Sequence, residues 1–366
     1  MRSYVEHYMR QALDQAQRGQ GRTLPNPCVG ALVVKGGRVV GRGFHKKAGT
    51  PHAEVIALRQ AGAKARGATL YCTLEPCDHW GRTGPCTQAI IRAGVRGVFV
   101  GMKDPNPLVR GQGIKRLRAA GVAVRAGFFE KEAAALNAAY VFAMRKRRPM
   151  VTAKVASSLD GKTGTRTGAS RWITDAASRR HAHRCRGVFD AVMVGIGTVL
   201  ADDPRLEASP KKKNWTKVIV DSSGRLPLNA RLLKTFSRVV VATASMTREK
   251  EEALRRRGVW VVRCPDAGRR VDLVRLLSVL HGFEVRHLLA EGGNKLIGSL
   301  FDRRLVDRAA FYLAPKIIGG AQALPAVGGR GVSRLAAAPR LRRVSCQRLN
   351  SDFFVTGDVI YPTQNK

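Results

Sequence analysis

Residues 51–58 read P-H-A-E-V-I-A-L, residues 68–74 read A-T-L-Y-C-T-L, and residues 75–86 read E-P-C-D-H-W-G-R-T-G-P-C. Pro51 suits the first turn of a helix, the middle block is a strand-forming run, and Cys86 opens a second helical pattern. Strand and helix in alternation predict an α/β layer. Three residues of this stretch, His52, Cys77 and Cys86, are soft-metal ligands. One imidazole and two thiolates leave the fourth tetrahedral position of a zinc ion open to water, as in catalytic rather than closed structural sites. Glu54 stands two residues after the histidine, at a helix N-terminus that favours its negative charge. It can move protons without ligating the metal. The other five cysteines, Cys28, Cys72, Cys185, Cys264 and Cys346, read as small hydrophobes.

The H-x-E…P-C constellation is the mark of zinc nucleobase deaminases. In that superfamily the two cysteines are commonly separated by two residues, whereas here the eight residues D-H-W-G-R-T-G-P lie between Cys77 and Cys86. This insertion resembles the deaminase half of the bifunctional riboflavin-biosynthesis deaminase/reductases. P-N-P-C-V-G at 25–30 and D-P-N-P-L-V-R-G-Q-G at 104–113 are similar to the same family. The resemblance implies a cytidine-deaminase-like α/β/α domain whose pocket Asn26 helps to line. A turn-forming role for Asn26 is the alternative. His45, at the end of the strand R-V-V-G-R-G-F-H, either faces that pocket or is a solvated strand end.

The chain has 366 residues, 44% of them hydrophobic, which suits two domains with packed cores. It has no apolar run long enough to span a membrane and no secretory leader. The expectation is a soluble cytoplasmic enzyme, and zinc-binding thiols agree with a reducing compartment. The net charge is +39, which can signal nucleic-acid binding. Yet the basic residues are scattered, with short clusters at 145–148, 211–213 and 255–257, and the few aromatics do not interleave with them. A generally basic surface is expected, with no specific nucleic-acid partner and no membrane partner. A nucleic-acid-editing zinc deaminase is the alternative.

Residues 4–18 form an amphipathic helical pattern, and strand and helix patterns alternate to a helix expected over residues 130–144. The cluster at 145–148, closed by Pro149, marks a solvated linker. Domains are placed at 1–146 and 150–366. Beyond it, G-K-T at 161–163 lacks the first glycine of a phosphate loop, because Ala156 stands there. Gly195 and Gly197 lack the third glycine of a dinucleotide fingerprint. What remains is A-K-V-A-S-S-L-D-G (153–161), S-R-W-I-T (170–174), V-G-I-G-T-V-L-A-D-D-P (194–204), V-I-V-D (218–221) and L-A-E-G-G-N-K-L (289–296). In this order the five resemble the reductase half of the same enzymes, which implies a dihydrofolate-reductase-like α/β domain. At 289–299 a strand runs through glycines into a helix, a cradle for a phosphate group.

By the resemblance, Ser157, Trp172, Thr198, Asp202, Ser222, Gly293 and Asn294 contact NADPH. Lys154, Ser170, Arg186, Leu206 and Glu291 hold the ribosyl phosphate and its C1′ end. Trp172 could instead anchor a core, and Asp202 a turn. One departure stands out: the family often has an arginine two or three positions after Leu206, and here E-A-S follows. Either Arg205 or the lysines at 211–213 grip the phosphate in its place, or the affinity for the phosphate is weaker. The expected function is zinc-dependent hydrolytic deamination of 2,5-diamino-6-ribosylamino-4(3H)-pyrimidinone 5′-phosphate, with Glu54 as proton shuttle. NADPH reduction of the ribosyl to a ribityl chain follows. A homo-oligomer is expected.

Overall fold

The computed structural model describes residues 2–209, 212 and 214–362. The chain divides into two compact units, residues 1–147 and 148–366. None of the described helices is long and apolar enough to cross a membrane.

The first unit runs α1 (Arg2–Gln17), β1 (Gly30–Lys35), β2 (Arg38–Phe44), α2 (Ala53–Ala61), β3 (Thr69–Leu74), α3 (Cys86–Arg92), β4 (Gly97–Met102), α4 (Gln112–Ala119), β5 (Ala123–Ala126), α5 (Glu130–Leu136) and α6 (Ala138–Lys146). Its sheet has the order β2-β1-β3-β4-β5, with β1 antiparallel to both neighbours and β3, β4 and β5 parallel. Alternation along β1 feeds two cores. Ala31 and Val33 join Ala57 of α2, Ile90 of α3 and Leu117 of α4, while Leu32 and Val34 join Tyr8, Met9 and Ala12 of α1. The result is a three-layer α/β/α unit.

Two glycines decide where α2 sits. A Cβ on Gly41 would stand 2.1 Å from the Ala57 carbonyl oxygen, and one on Gly43 would stand 2.2 Å from that of Ala53. Only glycine lets the α2 backbone lie directly on β2, and that contact fixes the helix that His52 caps.

Two local expectations are corrected. Pro51 does not occupy the first helical position, because α2 begins at Ala53 with His52 as its N-cap. The helix expected over 130–144 is two helices broken at Asn137. The Asn137 side chain accepts from the Cys28 N–H at 2.7 Å and donates to the Cys28 carbonyl at 3.0 Å. A buried asparagine that satisfies a distant strand entry overrides local helix propensity.

The second unit comprises β6 (Met150–Ser158), β7 (Lys162–Gly164), α7 (Ala176–Cys185), β8 (Ala191–Gly195), α8 (Ile196–Asp202), β9 (Thr216–Val220), β10 (Arg238–Thr243), α9 (Arg248–Arg256), β11 (Trp260–Arg263), α10 (Leu273–Gly282), β12 (His287–Glu291), α11 (Asn294–Asp302), β13 (Arg308–Ala314), β14 (Leu324–Pro325), β15 (Arg340–Leu349) and β16 (Asp352–Ile360). The main sheet has the order β11-β10-β9-β8-β12-β6-β13-β16-β15. It is parallel from β11 to β13, and β16 and β15 close it antiparallel. Parallel strands are covered on both faces, so A-V-M-V-G and T-K-V-I-V run almost continuously apolar. α10 and α11 pack on one face, α8 and α9 on the other.

The basic segment at 145–148 is not a solvated linker throughout. Arg145 and Lys146 end α6, and Arg148 grips Asp307 through two 2.7 Å hydrogen bonds. A fixed bidentate pair of this kind is made when a carboxylate meets the guanidinium fork.

Candidate active sites

In the first unit the site is built at element ends. His52 caps α2, Glu54 lies in its first turn, Cys77 follows β3, and Cys86 is the first residue of α3. His52 Nδ1 lies 3.2 Å from Cys86 Sγ and 3.5 Å from Cys77 Sγ. Among the described residues this is the one group of three histidine, cysteine or acidic side chains whose ligand atoms all lie within 4.8 Å of one another. Zinc bonds of about 2.0 Å to nitrogen and about 2.3 Å to sulfur at tetrahedral angles separate the ligand atoms by about 3.5–3.8 Å. The donor set and its spacing therefore fit a zinc ion.

The electrostatics favour the thiolate at one of the two cysteines, Cys77. The hydrogen bond between them pulls the Cys77 thiol down to about 4, with burial opposing and His52 assisting. That same bond and burial push Cys86 well above its ordinary value. His52 is raised, first by its hydrogen bond to Cys77. Glu54 is buried, and burial raises its carboxyl against the pull of His52.

The structure adds residues that sequence reasoning did not assign. Thr83, inside the insertion, places Oγ1 3.2 Å from His52 Nε2. With Nδ1 turned to the thiols, Nε2 carries the proton and Thr83 accepts it, which fixes tautomer and ring orientation. Replacing Thr83 by valine is expected to weaken zinc affinity about 10- to 100-fold in a chelator competition. Unchanged affinity would mean that the ring is held without Thr83. Glu75, also buried, accepts from the N–H groups of Asp104 (3.2 Å), Gly111 (3.0 Å) and Ile114 (3.2 Å). It ties the 104–114 loop to the strand end that carries Cys77. The G-R-T and E-P-C runs held these two residues in plain view, but their partners are not legible from spacing.

Asn26 and His45 come together beside the ligands. Asn26 Nδ2 is 3.1 Å from His45 Nε2, and the His45 ring meets that of His52 edge-on at 5.3 Å. His45 is 2% exposed, so it is not a solvated strand end.

In the second unit Ser222, Thr198 and Gly293 follow the C-terminal ends of β9, β8 and β12, three neighbouring parallel strands. Such a crevice is where open parallel sheets take ligands. Gly292 and Gly293 adopt φ of 72° and 75°, and a Cβ on either would crowd Thr198 Oγ1 at 3.3 and 3.4 Å. Bare backbone thus leads into α11, whose first residue is Asn294. Ser157, at the end of β6, is 1% exposed, and among the described residues its Oγ has no hydrogen-bond partner. The glycine cradle, the helix N-terminus and this orphan hydroxyl fit a phosphorylated cofactor. Ser222 Oγ accepts from the Val271 N–H at 3.3 Å. Trp172 is 63% exposed and is no core anchor. The Arg179 guanidinium lies 4.4 Å from its ring centroid, and Asp202 pairs with Arg171 at 2.5 Å.

Arg186, just past α7, forks onto Glu291 with Nη2 to Oε2 at 2.5 Å and Nε to Oε1 at 3.1 Å. Burial works to raise Glu291, yet Arg186 and then Lys154 hold it below its ordinary value. Lys154 stands opposite Glu291 in the β6–β12 register. Ser170 is exposed in the loop before α7. The 206–207 backbone reaches this face, because the Glu207 carbonyl accepts from Arg186 Nη1 at 3.2 Å, while the Leu206 side chain turns away. That side chain lies in the core with Phe189 and Trp215, and the Leu206 carbonyl accepts from Trp215 Nε1 at 2.7 Å. Glu207, the residue after Leu206, bonds the fully buried Lys217 ammonium at 2.7 Å. Lys212 turns inward to the Phe189 carbonyl at 2.8 Å. Lys211 and Lys213 lie outside the described residues, and Arg205 is exposed.

Comparison with known proteins matches residues 2–102 to the cytidine and deoxycytidylate deaminase zinc-binding region and residues 149–355 to the RibD C-terminal domain. The riboflavin biosynthesis protein RibD of Aquifex aeolicus is 42% identical over 357 residues, covering 97% of this chain and 98% of that one. Its counterpart from Escherichia coli K12 is 38% identical, covering 95% and 97%. Among solved structures, RibD of Acinetobacter baumannii superposes with a TM-score of 0.88 at 37% identity, covering 98% of this chain and 100% of that one. The diaminohydroxyphosphoribosylaminopyrimidine deaminase/5-amino-6-(5-phosphoribosylamino)uracil reductase of Thermotoga maritima gives 0.82 at 34%, covering 98% and 99%. The two α/β classes expected from sequence, cytidine-deaminase-like and then dihydrofolate-reductase-like, are those of these relatives.

Proposed function

The chain belongs to the RibD family of bifunctional deaminase/reductases of riboflavin biosynthesis, and on that premise we propose which of its residues carry the two reactions. The first is hydrolytic deamination of 2,5-diamino-6-ribosylamino-4(3H)-pyrimidinone 5′-phosphate, the second NADPH reduction of the ribosyl to the ribityl side chain. We assign residues 1–146 to the first and 150–366 to the second. When bound, zinc supplies a Lewis acid that acidifies a water, and NADPH supplies a hydride.

His52, Cys77 and Cys86 hold the metal, and Thr83 orients His52. Glu54 takes a proton from the attacking water and returns it to the departing ammonia, a shuttle that needs a carboxyl beside the metal but not on it. Asn26 and His45 sit where they can orient the pyrimidine. In the second unit the Gly292–Gly293 turn, Asn294, Thr198, Ser222 and Ser157 hold the cofactor, with Trp172 and Asp202 at its mouth. Glu291, Arg186 and Lys154 surround the C1′ end of the substrate, and Ser170 lies at the edge of that site. Of the basic residues named for the phosphate, Arg205 is the described one that stays exposed, and we assign it that contact. The surroundings we infer are the cytoplasm and a homo-oligomer, with small phosphorylated pyrimidines as the only specific partners.

The observation that carries this reading is the close His52–Cys77–Cys86 cluster with buried Glu54 in one chain with the Arg186–Glu291 fork. The test is ammonia release from the diaminopyrimidine phosphate, followed by NADPH oxidation with the deaminated product. Failure of either reaction with pure, zinc-loaded protein would sink the corresponding assignment.

A further inference from the structure

The sheet order β12-β6-β13-β16 sets Glu291 opposite Lys154, Lys154 opposite Ala310, and Tyr312 opposite Phe354. Paired residues on neighbouring strands share a face, as do alternate residues on one strand. Glu291, Lys154, Tyr312 and Phe354 therefore form one ridge across the sheet. α7 and the turn after it cover that ridge and are pinned at two points. Arg186 forks onto Glu291 at one end. At the other, His181 Nδ1 and the Tyr312 hydroxyl share a 2.9 Å hydrogen bond, with the His181 ring 4.9 Å from Phe354.

Lys154 lies between the two pins. Its ammonium is 5.7 Å from the centroid of the Tyr312 ring, and among the described residues it makes no hydrogen bond of its own. A lysine head on four rotatable bonds is poorly placed unless something walls it in. Tyr312 can be that wall, because it is 2% exposed and both its ring and its hydroxyl are held. Burial also pushes its phenol up, so it stays neutral. Neither His181 nor Cys185, whose Sγ lies 3.7 Å from the imidazole nitrogens, belongs to any motif that suggested the reductase site.

We propose that Tyr312 is a positioning residue for the reduction: its ring, oriented by His181, holds the Lys154 ammonium against Glu291. The proposal rests on the assignment of Lys154 to the reductase site.

The test is a double-mutant cycle in the full chain. Reduction of the deaminated substrate, NADPH binding by fluorescence, which monitors the fold of the second unit, and deamination, which monitors the first, are measured together. Tyr312→Leu is expected to lower kcat/KM for reduction about tenfold and to leave NADPH affinity within about twofold. Tyr312→Phe keeps the ring and should recover most of the loss. In a Lys154→Met background, Tyr312→Leu should cost nothing more, since coupled residues are not additive. Reduction that survives Tyr312→Leu, or losses that multiply in the double variant, would overturn the proposal. If Tyr312→Leu does not fold, His181→Leu frees the hydroxyl without emptying the sheet face. It is expected to cost about threefold with the same non-additivity, and unchanged reduction would again overturn the idea. A fully active Lys154→Met would instead bring down the assignment beneath it.

Discussion

Replacing Glu54 by glutamine is expected to lower deamination by about 10²- to 10⁴-fold while zinc content stays at about one per chain. The amide matches the carboxyl in volume, so the buried first turn of α2 keeps its packing. The three ligand atoms are untouched, because the metal-sized group is made by His52, Cys77 and Cys86. What disappears is the group that can both accept and return a proton. Reduction of the deaminated substrate by NADPH should persist in the same protein. Equal loss of both activities would show that the two reactions are not separable at this residue. Loss of zinc would place Glu54 among the ligands.

A second large effect is expected from Cys86→Ser. Cys86 is fully buried at the start of α3, and its sulfur is the nearer of the two to His52 Nδ1, at 3.2 Å. A serine hydroxyl does not ionise at neutral pH and is a poor partner for a borderline-soft ion. Elemental analysis should find zinc reduced from about one per chain to a small fraction. Deamination should vanish with it, and the thermal stability of the first unit should fall, because metal binding free energy is also folding free energy. Chelation of the native protein should reproduce the loss, and added zinc should restore the native protein but not the variant. Undiminished zinc in Cys86→Ser would move the ligand set elsewhere.

Much of this protein was legible before any coordinates, for a physical reason. His52, Glu54, Cys77 and Cys86 sit at element ends, and element ends have local chemistry: a capping position, an apolar strand run, a proline before a helix. Local chemistry is written in adjacent residues, so the zinc centre, the α/β alternation and the glycine cradle at 292–293 could all be read in order. The tertiary structure alone decided the pairings. Arg186 meets Glu291 across 105 residues and His181 meets Tyr312 across 131. Asn137 breaks a helix to serve Cys28, 109 residues earlier. Glu207 is drawn to the buried Lys217, Lys212 turns inward to the Phe189 carbonyl instead of outward to a phosphate, and the Leu206 side chain goes to the core. Thr83 finds His52 and Glu75 finds the 104–114 loop only after α2, β3 and α4 have packed. A buried polar group must have a partner, but sheet register and helix packing choose which one. Those choices leave no periodic trace in the sequence.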